Sequence, residues 1–145
     1  MGTDGGALTL SKLDEAIDLC YGVPDMIICS KRSRREMQAL LQVSQRFVEK
    51  TEVKGGFKLM SYNDIPIYWS QHQSDAEVKG SAINASSLYI LDTMKVWMEV
   101  LTELKMELLP KTTSQYDRFD IYEDLVLVIA NEKYCARMDG IIPPS

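Results

Sequence analysis

At 145 residues the chain is one domain's worth, long enough to bury about two-thirds of the surface its unfolded form exposes. Its 46% hydrophobic and 26% charged residues exclude disorder as the general state. Sixteen basic against 21 acidic residues, a formal net charge of −5, argue against a surface built mainly to hold nucleic acid or anionic lipid. No apolar run reaches the roughly 18 to 20 residues that cross a bilayer, and MGTDGGALTL lacks the basic start and apolar core of a secretory signal. Three widely spaced cysteines, Cys20, Cys29 and Cys135, each with apolar flanks, read as buried free thiols in a reducing compartment.

Residues 1–7 are Gly-rich and are expected to be disordered. Thr9 caps a helix from about Leu10 to Tyr21, whose Leu10, Leu13, Ile17 and Cys20 fall on one stripe. Gly22 ends it, and Met26–Cys29 is a short apolar strand. Ser30 caps a second helix, roughly Lys31–Val43, with Ser33 and Glu36 offering a rival capping-box register. Lys31, Arg32, Arg34 and Arg35 load its first turn with positive charge, which opposes the helix dipole.

From residue 45 the texture turns to β. Phe47–Val53 alternates, Gly55-Gly56 turns, Phe57–Tyr62 is a strand and Asn63-Asp64 turns again. Ile65–Trp69 follows, with Pro66 confining it to an edge or a strand start. Gln71–Ser87 is polar and unpatterned, the mark of a functional or mobile loop. Leu88–Leu91 is a buried strand. Val96, Met98 and Val100 alternate with Trp97, Glu99 and Leu101, so Lys95–Leu109 reads as a strand, although its end is rich in helix formers. Pro110 closes it and Lys111–Asp117 connects it to Arg118–Met138. Within that stretch Phe119 and Ile121 alternate with charge, and the unbroken run Leu125–Ile129 predicts a strand covered on both faces.

Motifs that carry chemistry are scarce. The one histidine, His72, stands in the polar loop beside Gln71 and Gln73, with neither an orienting carboxylate nor a nucleophile in its spacing. One His and three scattered Cys make no zinc constellation, and no phosphate-binding or dinucleotide fingerprint is present. Asp120, Glu123 and Asp124 split between the faces of a strand, which suits an edge better than paired-acid catalysis. Trp69, Trp97, Tyr68 and Tyr89 suggest an aromatic core cluster. No catalytic residue, cofactor or metal site is assigned.

The order of segments carries more than any one of them. PDMIICSKRSRREMQALLQ is followed by a Gly-containing β stretch, YNDIPIYWS, SSLYILDT and RFDIYEDLVLVIANEKYCARMDGI. This succession resembles the C-terminal half of tailed-bacteriophage major capsid proteins, a fold shared with encapsulin shells and herpesvirus capsid floors. Cys29-Ser30-Lys31-Arg32 stands where that family leads a strand into a helix, Asn63–Ile67 matches its edge strand, and Arg137–Gly140 matches its closing strand. The resemblance implies an α+β phage major-capsid-type fold, with a mixed sheet flanked by helices and long peripheral strands. It assigns residues 8–94 to an axial-like domain, 95–141 to returning peripheral-domain strands and 142–145 to a tail, and it finds no N-terminal arm, extended loop or spine helix.

The function it implies is structural. Subunits gather in pentamers and hexamers and close an icosahedral head around double-stranded DNA without sequence-specific or membrane binding, in the virion after assembly in the bacterial host cytoplasm. This chain would be a fragment or a prophage remnant, and alone a monomer or small oligomer. The negative charge fits a wall that must not grip DNA. Candidate interface residues are Lys31, Arg32, Arg34 and Arg35, facing an acidic neighbour, and Gln71, His72 and Gln73, near a ring axis. The alternatives are an encapsulin-like compartment shell and a small cytosolic ligand-binding α+β domain.

Overall fold

Thr9 lies in extended backbone and its Oγ1 accepts the Lys12 N–H at 3.3 Å, so helix α1 (Leu10–Asp18) starts at the expected cap. It stops three residues early because Cys20 N–H tightens onto Ile17 O and Tyr21 N–H turns away to Lys133 O at 2.8 Å. Ser30 wins the second cap: its Oγ accepts the Ser33 N–H at 3.1 Å, and α2 runs Lys31–Val43. The computed structural model describes residues 4–43, 50–53, 57–110 and 116–143. The expected Gly55-Gly56 turn, the onset of β structure at Phe47 and most of the Lys111–Asp117 connection lie outside those residues.

The described strands are β1 (Met26–Cys29), β2 (Lys50–Val53), β3 (Phe57–Tyr62), β4 (Ile65–Trp69), β5 (Glu77–Lys79), β6 (Ala82–Leu91), β7 (Val96–Leu109), β8 (Arg118–Ile129) and β9 (Ala136–Ile141). They fall into two units, residues 1–93 with 131–145 and residues 94–130. The first holds a mixed sheet ordered β2-β3-β4-β1-β6-β5, with β9 also paired to β6. β1 and β4 run parallel and the other strand pairs antiparallel. Asn63 and Asp64 both take positive φ, at 48° and 61°, which gives the tight β3–β4 turn the twist a two-residue hairpin needs. Pro66 opens its strand but does not sit at an edge. β4 lies between β3 and β1, and the parallel register begins only at Ile67, so the missing N–H falls before the ladder needs it.

Burial alternates along β1 and β4, with Ile27, Cys29, Ile65 and Ile67 on one face. These join Leu88 and Ile90 of β6, Leu13 of α1, and Met37 and Leu41 of α2 in one core cluster. A sheet with one face under two helices is the simplest way to bury a period-2 and a period-3.6 stripe against each other. Small polar side chains fill part of this layer. Ser33 Oγ and Ser86 Oγ are 2.8 Å apart and both residues are fully buried, each satisfying the other.

Residues 118–138 form two strands, not one. Asn131 Oδ1 accepts the Lys133 N–H to cap a 3₁₀ turn over Glu132–Tyr134, after which β9 joins β6 in the first unit, with Ala136 opposite Ile90. The expected boundary, with 95–141 together, therefore differs from the observed pairing of residues 136–141. Residues 4–7 are tied down as well: Gly6 donates to Gly140 O at 2.9 Å and accepts from Ile142 N–H at 3.0 Å, while Asp4 accepts from Ser81. Position 5 requires glycine, since its φ is +81° and a Cβ there would meet Gly140 O at 2.6 Å.

The second unit is a two-stranded antiparallel ribbon, β7 with β8. The sequence reads both stretches as strands but expects Leu125–Ile129 to be covered on both faces. Leu125, Val126, Leu127 and Ile129 are instead exposed, because each face of a lone ribbon lacks a second layer.

Candidate functional site

Three surfaces of the described chain could bind something, and the first is the ribbon. Its register pairs Val96 with Ile129, Met98 with Leu127, Val100 with Leu125, Met106 with Ile121 and Leu108 with Phe119. Cross-strand partners share a face. From Val100 to Met106 β7 uses six steps where β8, from Leu125 to Ile121, uses four, so the two register shifts add two residues to β7. An even number restores parity, and all ten of those apolar side chains fall on one face. Glu123, between Ile121 and Leu125 on regularly alternating β8, places a charge on that face, opposite the shifted part of β7 that holds Glu103 and Leu104. The other face carries Glu99, Lys105, Glu107, Arg118, Asp120 and Asp124, with Trp97, Val126 and Val128 at one end. The sequence reads alternation interrupted at Tyr122-Glu123-Asp124; the bulges on the partner strand are what reconcile the two halves.

The second surface surrounds Trp69. The residue is 43% exposed at the end of β4, and the start of α2 packs Lys31 Nζ 4.7 Å and the Arg34 guanidinium 5.4 Å from its ring. Cation–π contact of this kind holds the two positive charges beside each other despite their repulsion and the adverse dipole. Of the aromatics expected to cluster, Trp97 belongs to the ribbon unit, and Tyr89 lies under Arg137 at 5.6 Å in the first unit.

The four cations of α2 separate. Arg32 turns into the unit, where its guanidinium donates to Asn84 O at 2.7 Å, Asp75 O at 3.0 Å and Ile141 O at 3.5 Å. Glu36 and Asp75 flank its Nε at 3.8 and 3.6 Å. Arg32 is thus an internal tie between α2, the loop before β5, β6 and β9. Lys31 and Arg35 are exposed and Arg34 half-buried. Gln71 and His72 are exposed, while Gln73 donates to Ser87 O at 3.0 Å and so fastens its loop to β6.

The third surface is a groove of about 620 Å³ along α2, lined by Leu8, Arg35, Glu36, Ala39, Leu40 and Val43. Burial pushes the Glu36 carboxyl up, against the lowering pull of Arg32. A raised folded-state pKa means that the folded protein holds this proton more tightly than the unfolded chain. The group therefore favours folding below the ordinary carboxylate range, and that contribution is lost as pH rises through the folded value. Glu36→Gln should raise the thermal midpoint near neutral pH and leave it unchanged in acid, as read by circular dichroism melts at both pH values.

Burial raises the Cys29 thiol to about 12, which leaves it unreactive beneath Tyr68 O. The Lys79 ammonium, 2.7 Å from Asp139, lowers that carboxyl in an ordinary half-exposed ion pair. Among the described residues no group of three or more His, Cys, Asp or Glu could hold a metal ion.

A family model described as SU10 major capsid protein matches residues 1–141 of this chain. No curated protein matches it in sequence. Among solved structures, the SrpI encapsulin of Synechococcus elongatus PCC 7942, determined in its holo complex by electron cryomicroscopy, is similar to 94% of the chain. The TM-score is 0.75 and the identity 11%. The chain spans 50% of the length of that encapsulin chain.

Proposed function

The chain belongs to the SU10 major capsid protein family, and from that premise we propose that it is a structural subunit of an icosahedral head that encloses double-stranded DNA. Its fold is that expected from sequence, the α+β architecture of capsid and encapsulin shells. Within the structure, one observation supports assembly above the others: the apolar face of the β7–β8 ribbon has no cover in the described chain. An isolated hairpin is marginal in water, and a continuous apolar face of this length marks a contact surface. The subunit's work is to be held in place by other parts of a shell.

In this reading like subunits associate in pentamers and hexamers, in the host cytoplasm before they reside in the virion. The exposed cations Lys31 and Arg35 and the half-buried Arg34 face a neighbour, and the loop at Gln71, His72 and Gln73 lies near a ring axis. Charge-complementary contacts there would set register more than affinity. The isolated chain would remain a monomer or small oligomer.

The encapsulin likeness favours a second reading, a compartment shell with protein cargo in place of DNA. Particles purified from cells that express the gene decide between them. Nuclease-resistant double-stranded DNA inside a shell containing this sequence is the expected result. A protein cargo would move the reading to a compartment, and absence of the sequence from any closed particle would overturn both.

A further inference from the structure

The end of α1 and the segment that leads into β9 are fastened together within the first unit, and each brings a cysteine to the junction. Tyr21 N–H donates to Lys133 O at 2.8 Å, and the Tyr21 and Tyr134 rings meet edge to face with centroids 5.8 Å apart. Gly22 packs so closely on Tyr134 that a Cβ there would stand 2.8 Å from the ring. Cys20 directly precedes Tyr21, and Cys135 directly follows Tyr134. A disulfide spans Cα atoms about 4.4 to 6.8 Å apart, a separation that a backbone hydrogen bond between two segments imposes on the residues beside it. The thiols also differ in access. Cys20 is buried in the core cluster with its Sγ 3.9 Å from Ala16 O, whereas Cys135 is half-buried. Burial, and after it the charge of Cys135, push the Cys20 thiol up.

We propose that Cys20 and Cys135 form a modification site, a dithiol that a small-molecule disulfide of the class of oxidised glutathione converts into one covalent bridge. The more accessible Cys135 reacts first. Its thiolate attacks one sulfur of the reagent, and the other half leaves as a thiolate. Cys20 then gives up its proton and attacks Cys135 Sγ, which expels the second half. The two thiols of the chain are oxidised, and one reagent molecule is reduced to two thiols. The bridge closes almost the whole chain into a single loop, so it restricts the unfolded state far more than the folded one. A reducing cytoplasm keeps the pair as thiols, and the bridge forms when the protein meets an oxidising medium. This site belongs to the first unit alone and does not depend on the shell reading.

Oxidised glutathione is the probe. After incubation with it, the purified chain should weigh two hydrogens less by mass spectrometry. Digestion without reductant should release one linked pair of peptides that carries Cys20 and Cys135. The thermal midpoint should rise by about 5 °C or more and fall back when a dithiol reduces the bridge. Cys20→Ser should stop at a glutathione adduct on Cys135, and Cys135→Ser should take up none, because the buried thiol that remains is out of reach. Cys29→Ser should form the bridge as the unaltered chain does. Serine at a buried position can weaken the fold, so the peptide map of the unaltered chain is the deciding measurement. Three thiols left free, separate adducts with no bridge, a bridge through Cys29, or two chains joined through Cys135 would each overturn the proposal.

Discussion

Leu127→Lys together with Phe119→Lys should remove the chain from particles and leave its own sheet folded. Both side chains lie on the apolar face of the ribbon and are 61% and 54% exposed, so lysine there costs the single chain no more than about 0.5 kcal/mol per site. In the covered state two unpaired ammonium groups enter a dry contact, at several kcal/mol each. That cost recurs at every copy, so the shell loses far more than the subunit does. Val126→Lys is the control. It is 56% exposed on the same strand but belongs to the face that already carries Lys105 and Arg118, and it should be tolerated. Sedimentation for particles and circular dichroism for the free chain read the two effects apart. Normal incorporation of the double variant would mean that the ribbon is not an assembly surface.

Arg32→Ala should destabilise the free chain by about 3 kcal/mol, whereas Arg35→Ala should stay within about 0.5 kcal/mol. Four sequence-adjacent cations look alike on paper. Only Arg32 bridges carbonyls from three separate segments, at Asp75, Asn84 and Ile141. Its removal leaves those acceptors without their donor and the flanking Glu36 and Asp75 carboxylates without their counter-charge in a largely water-poor site. Urea unfolding of both variants is the measurement. Equal midpoints would show that the guanidinium contributes no net stability.

The elements with strong local signals were legible in the sequence. The cap at Thr9, the strand Met26–Cys29, the helix from Lys31 to Val43 and the strand character of β7 all follow from side-chain period and capping chemistry. The segment Gln71–Ser87 was not, although β5 and much of β6 lie in it. Its buried strand residues, Ala85, Ser86 and Ser87, are small or polar and are covered because distant partners meet them, while its apolar Val78 and Ile83 are exposed. Ser86 faces Ser33, while Ser87 donates to Glu77 and accepts from Arg137 at 3.0 Å. No period in hydrophobicity records such a match.

Leu125–Ile129 misled for a related reason. A run of apolar β-formers reports that a surface is destined to be dry, and it is silent on which molecule dries it. The same limit hid the roles within Lys31–Arg35, since direction along a helix face was readable but the carbonyls that capture Arg32 come from 43 to 109 positions away. Trp69 as a seat for Lys31 and Arg34 was likewise beyond reach, because it needs the parallel register of β1 and β4 that sets Cys29 beside it.

The insertion of the ribbon between β6 and β9 has a consequence for how such a protein can vary. Ile90 and Ala136 are ladder partners, so the strands that lead into and out of the ribbon are pinned side by side by the first unit's own hydrogen bonds. Length or sequence can drift in the excursion without disturbing the frame that sends it out. A lineage built this way can renegotiate its neighbours one exchangeable cassette at a time while its inherited scaffold stays fixed.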